Sequence, residues 1–172
     1  MRRPLATILV AAILTLLPMV GWATTPDEAW IQKFAEKIAS PKTYEQTADT
    51  FESYFSGVLH FKRLGEDQCG QIFEVDEAWP TLIRSAISFG QGPCIKPWAF
   101  TNLRFTLAGD DAPSVKPLIK VLVGRLGKPY RDYVNQQTQV ATIAWVSGRQ
   151  RLIVDYDSRD ERGFTVLMIV SE

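Results

Sequence analysis

The sequence predicts an α+β domain in which helices pack on one face of an antiparallel sheet of about six strands, closed by one disulfide. Three observations carry that expectation. Ser114 to Leu126 spaces Val115, Leu118, Ile119, Leu122 and Leu126 three or four residues apart, opposite Lys116 and Lys120, as an amphipathic helix requires. From Val140 the period changes to two, and three apolar runs follow, separated by the turn Ser147-Gly148 and the polar stretch Asp157 to Gly163. Two cysteines, Cys69 and Cys94, lie downstream of a leader of the export type.

In that leader, Arg2 and Arg3 precede the apolar run Leu5 to Leu17, and Gly21 and Ala23 put small residues at both cleavage-determining positions. The pattern predicts a secretory signal peptide over residues 1–23. The run is short of the ~20 residues that a spanning helix needs. Residues 24–172 then form a single α+β domain of 172 − 23 = 149 residues, or two lobes over 24–108 and 109–172 that share a core. Losing Arg2 and Arg3 leaves 17 basic residues against 19 acidic ones, a net charge of 17 − 19 = −2. A nucleic-acid binder needs a basic surplus to displace counterions, so that class is excluded. No membrane association is expected once the leader is removed, which places the protein in the periplasm or outside the cell. There an even cysteine pair closes a disulfide, and Cys69 and Cys94 lack the C-x-x-C spacing of a redox or metal pair.

Taken in order, Thr25, Pro26 and Glu28 read as a capping box that opens a helix to about Ala39, with Ile31, Phe34, Ala35 and Ile38 on its buried face. Pro41 ends it and starts a second helix carrying Tyr44, Ala48, Phe51 and Phe55, with Gly57 as the exit. Val58 to Leu64 and Gln68 to Val75 form a hairpin turned by Gly65 to Asp67. Asp76 and Glu77 open a third helix, in which Trp79, Leu82, Ile83, Ala86 and Ile87 make an apolar stripe that Gly90 closes. Gln91 to Trp98 is rich in turn residues, and Ala99 to Leu107 is a strand. The Val115 helix follows, ended by Gly127 and Pro129, then the irregular segment Lys128 to Gln139, then strands from Val140, through Leu152, Val154 and Tyr156, and over Phe164 to Val170. The last strand is apolar on both faces, which predicts a central or doubly covered position. A faint internal echo links the third helix to the Val115 helix, both ending in an apolar residue, Gly and a nearby Pro; shared helix-stop chemistry accounts for most of it.

The chain offers no catalytic apparatus. Its one histidine, His60, falls on a strand beside Lys62 and opposite Leu59 and Phe61, a solvent-side position with no partner base or nucleophile. Asp155, Asp157, Asp160 and Glu161 cluster near the last turn, but a calcium loop needs Gly where Asp160 stands, and Arg159 and Arg162 interrupt the acids. No metal and no cofactor is expected. In Lys128 to Gln139, by contrast, Tyr130, Arg131 and Tyr133 are of the types that anchor interfaces, while the alternative packs both tyrosines on the sheet; Trp98 invites the same two readings.

Export, a stapling disulfide and the missing catalytic groups together point to a binding protein that engages another protein, as a periplasmic inhibitor or immunity-type protein does with an envelope-targeting enzyme. Its contact surface is expected at Tyr130, Arg131 and Tyr133, rimmed by Asp157, Arg159 and Arg162. The alternatives are a carboxylate-dependent envelope hydrolase using Asp155 or Asp157, and a small-ligand carrier with its site between helices and sheet.

Overall fold

The computed structural model describes residues 25–90, 94 and 97–171. The expected signal peptide lies outside them. One antiparallel sheet of eight strands forms the molecule, with the helices on one of its faces. The strands are β1 (Phe61–Glu66), β2 (Gly70–Val75), β3 (Leu82–Gly90), β4 (Phe100–Leu107), β5 (Arg131–Val134), β6 (Val140–Ser147), β7 (Gln150–Asp157) and β8 (Phe164–Val170); the helices are α1 (Glu28–Ile38), α2 (Phe51–Phe55) and α3 (Lys116–Leu126). Their order across the sheet is β1-β2-β3-β4-β8-β7-β6-β5. The order is a palindrome of two meanders: α1 and β1–β4 make one half, α3 and β5–β8 the other, and β4 pairs antiparallel with β8 at the seam.

That arrangement corrects the sequence reading in two ways. The sheet has eight strands where about six were expected, and β3 occupies the stretch read as a third helix. Trp79, Leu82, Ala86 and Ile87 do fit helical spacing. As a strand, however, the segment turns Ile87 and Phe89 inward and Arg84, Ala86 and Ser88 outward. Its alternation was masked because Ser85 also faces inward, where its hydroxyl accepts from the Val75 backbone N–H at 2.8 Å. Pairing with β2 and β4 on both sides then outweighs local propensity. With the third helix gone, the echo between it and the Val115 helix goes too; the internal correspondence is between whole helix-plus-four-strand halves.

The other helices are held as their sequences require, with smaller corrections. The cap of α1 is Asp27 rather than Thr25: its carboxylate accepts from the Trp30 N–H at 2.7 Å, and Lys37 sits in the last turn. The expected second helix is broken into a short 3-10 helix, Pro41–Thr43, and α2. Between them Thr47 bridges Ala99, and the Thr50 hydroxyl accepts from the Thr47 N–H at 3.0 Å, a local bond that competes with helix formation. The segment Arg131–Val134, read as irregular, is an edge strand with every residue exposed. Without a buried face it leaves no period in the sequence.

The core lies between the helices and the inner face of the sheet. Ile31, Phe34 and Ile38 of α1 and Leu118 and Leu122 of α3 meet Leu103, Phe105, Val154, Val166 and Met168, all nearly inaccessible to solvent. Aromatic rings dominate the first half, with Phe34 and Trp30 against Phe105 at centroid distances of 5.0 and 5.9 Å. Trp98, 4 % exposed, belongs to this core and is no surface anchor. Gly163, immediately before β8, lies in the left-handed region, at φ +66°, and a Cβ there would stand 2.6 Å from the Leu107 carbonyl oxygen. The seam between the halves thus closes on a residue without a side chain.

Cys69 and Cys94 are disulfide-bonded, with Cα atoms 4.2 Å apart. The bond ties the turn before β2 to the connection after β3, two strands that are already neighbours.

Candidate functional site

Of the side chains singled out from the sequence, Tyr130, Arg131 and Tyr133 come together on the β5 edge. The Tyr130 N–H donates to the Ala144 carbonyl at 2.8 Å, and Arg131 to Val134 then pair with Ala144 to Ala141. Directly paired residues share a face, so Arg131 lies beside Ala144 and Tyr133 beside Thr142 on the side of the sheet away from the helices. Tyr130 is 77 % and Tyr133 46 % exposed, which settles against inward packing of either ring. The Arg131 guanidinium stands 5.7 Å from the centre of the Tyr133 ring. Next to them a depression of about 460 Å³ is lined by Tyr130, Arg131, Ala144, Val146, Arg151 and Ile153.

The turn after β7 is built differently. Asp157 accepts from both the backbone N–H and the side-chain Nε of Arg159, at 2.9 and 3.0 Å. This bonding pulls the Asp157 carboxyl down to about 2. Because its folded pKa lies below the unfolded one, the pair's contribution to stability is present above about pH 4 and drains away as the pH falls through about 2. In Arg159→Ala we expect the Asp157 titration, followed by NMR of its side-chain carboxyl carbon, to return to the ordinary carboxylate range; an unmoved midpoint would mean that the backbone bond alone sets it.

Arg162 is occupied elsewhere. Its guanidinium donates to the Asp110 carbonyl at 2.7 Å, and residue 162 bridges Ser114 at the start of the α3 region. Val140 pairs with Asp157, so the turn sits at the sheet end reached by Tyr133, whereas Tyr130 lies toward the other end of β5. The six residues named from the sequence therefore divide into the tyrosine-arginine edge, the Asp157–Arg159 pair within its own turn, and Arg162, which is bonded to the Asp110 carbonyl.

His60 immediately precedes β1 and is solvent-exposed, its Nδ1 2.9 Å from a Glu77 carboxylate oxygen. Asp155, on the outer face, accepts from the Thr142 hydroxyl at 2.6 Å. Among the described residues no three His, Cys, Asp or Glu side chains are grouped to hold a metal ion, and no helix is long and apolar enough to cross a membrane. A second cavity, about 400 Å³, opens between the ends of α1 and α3 and the β6–β7 hairpin, lined by Ile38, Tyr44, Leu126, Trp145 and Leu152. Burial pushes the Tyr44 hydroxyl well above its usual range, so it stays protonated and donates to the Arg151 carbonyl at 3.2 Å.

Sequence reasoning missed the outer face of the sheet. Arg84 and Arg104, on strands of the first half, and Arg151, on β7, project from the same side as Arg131. Only the register, invisible until the strands pair, brings these four together.

No family model matches the chain, and no curated protein does. Among solved structures it is similar to a DUF4309 family protein (YjgB) from Bacillus subtilis subsp. subtilis str. 168, at 15% sequence identity and a TM-score of 0.37, over 84% of this chain and 95% of that one. A likeness this loose carries no functional argument.

Proposed function

We propose that this chain is an exported, non-catalytic binding protein that engages another protein, in the manner of a periplasmic inhibitor or immunity-type protein directed at an envelope-targeting enzyme. The observation that supports the reading most is the exposure of Tyr133 and Arg131 on a strand whose backbone is fixed by pairing to β6, and of Tyr130 immediately before it. Tyrosine and arginine concentrate binding energy at interfaces, and a strand presents them with little ordering cost. The Asp157–Arg159 pair, satisfied within its own turn, forms a rim of low energetic weight.

The test begins with a photo-crosslinking residue in place of Tyr130, introduced in the producing cell to trap the partner. With that partner, Tyr133→Ala is expected to cost ~2 kcal/mol or more of binding free energy, and Arg159→Ala under ~1 kcal/mol, both by calorimetric titration. Unchanged affinity in a variant with alanine at Tyr130, Arg131 and Tyr133 would move the interface off this edge. If no envelope or secreted protein is trapped at all, the binding reading itself fails.

A further inference from the structure

Among the described residues no helix packs on the outer face of the sheet, and from β3 to β5 arginines outnumber carboxylates on it. One cross-strand row runs Ala86, Arg104, Leu167, Ile153, Ala144, Arg131 from β3 to β5, each residue paired with the next. A parallel row runs Ser88, Asn102, Ile169, Arg151, Val146. A third begins with Arg84 and passes through Thr106, Thr165, Asp155 and Thr142 to Tyr133. Arg84, Arg104, Arg131 and Arg151 are all exposed, and none pairs with a carboxylate among the described residues. Of the acids on this face, Asp157 is paired with Arg159 and Glu74 with Lys62 near the β1 edge, while Asp155 accepts from the neutral Thr142 hydroxyl, so four arginines stand against one carboxylate that has no basic partner among the described residues.

The chain as a whole has 19 basic and 19 acidic residues, so these unpaired cations are a local concentration and no reflection of overall charge. They also surround apolar side chains, with Leu167, Ile153, Ile169 and Val146 between them. With strands ~4.8 Å apart, Arg104 and Arg131 stand ~19 Å from each other along their row. The face from β3 to β5 is roughly 24 Å in each direction, on the order of 600 Å² in projection. That is comparable with the ~800 Å² that each partner buries in a specific protein complex.

Resting on the binding-protein reading, we propose that this face is the docking surface and that the partner presents an acidic protein surface to it: carboxylates for Arg84, Arg104, Arg131 and Arg151 around an apolar projection that seats on Ile153 and Leu167. Guanidinium forks match carboxylates two bonds at a time, and unpaired arginines steer an acidic partner during approach. A nucleic acid fits less well, since an apolar centre gives its backbone no contact and the chain carries no basic surplus.

The probe is a 15-residue peptide of glutamates interrupted by two leucines, titrated into isotope-labelled mature protein. Chemical-shift changes are expected at outward residues of β3 to β8, with affinity falling as salt rises. Arg104→Glu combined with Arg151→Glu should weaken binding at least tenfold, while Lys120→Glu, on the exposed side of α3, stays within twofold; circular dichroism verifies that each variant is folded. Shifts on the helical side, an affinity indifferent to the double reversal, or equally tight binding of a single-stranded oligonucleotide of the same charge would each overturn the proposal. A partner trapped at Tyr130 whose affinity survives the double reversal overturns this inference and leaves the binding reading intact. Absence of any trapped partner overturns that reading, while the peptide titration still decides the chemistry of the face.

Discussion

Phe105→Ala is expected to lower the free energy of unfolding by about 3–5 kcal/mol, the range for truncating a fully buried phenylalanine. Phe105 is inaccessible to solvent on β4, the seam strand of the first half, paired with Ser85 on one side and Val166 on the other. The rings of Phe34, Trp30 and Trp79 surround it at 5.0, 5.9 and 6.4 Å. Two of these rings are carried by α1 and the third by the loop before β3, so they do not close in together, and the loss includes a cavity as well as transfer free energy. A domain of this size is stable by about 5–15 kcal/mol, so the variant sits near the edge of folding. Urea denaturation followed by fluorescence and far-ultraviolet circular dichroism measures it. A loss under about 1 kcal/mol would mean that α1 shifts to refill the site. A more conservative Phe105→Leu then keeps the question open to measurement if the alanine variant does not fold.

Reduction of Cys69–Cys94 is expected to cost about 3.5 kcal/mol, from the loop-closure entropy restored to the unfolded chain. The crosslinked cysteines are 25 positions apart and enclose β2 and β3. These strands pair with each other in any case, so the bond adds little to native contacts and acts mainly by restricting the unfolded ensemble. The same urea experiment with and without reductant gives the difference. The protein is expected to show no reactive thiol under denaturing conditions. Two titratable thiols, or an unchanged midpoint on reduction, would contradict the account.

The cysteine pair was readable from count and context. Phe105 lay within a predicted strand, yet nothing in the sequence singled it out from Phe100 or Leu103 as the residue beneath Trp30. Strand and helix existence was clearest where one face is buried and the other wet, as in α1, α3, β6 and β7, while β8 stood out as an apolar run bounded by a polar turn. The Arg131–Val134 strand was missed because both its faces reach solvent, and β3 because an inward serine and an outward alanine erased its alternation. Tyr130, Arg131 and Tyr133 could be named from residue type, but their exposure could not. Asp157, Arg159 and Arg162 stood near one another in the chain and were grouped on that ground; hydrogen bonds to Asp157 and to the Asp110 carbonyl occupy the two arginines separately.

By itself the sequence determined the α+β class, the two amphipathic helices α1 and α3, the final three strands and the pairing of the cysteines, because each is written in nearest-neighbour spacing or in the number of residues able to react. Only the tertiary structure decided that eight strands form one sheet, that its two halves meet at β4 and β8, and that Arg84, Arg104, Arg131 and Arg151 share a face. The physical reason is register. A shift of one residue in any of these pairings would send an arginine to the opposite side, and the choice is made by burial of Phe105, Val154 and Val166 beneath the helices, not by anything local to the arginines.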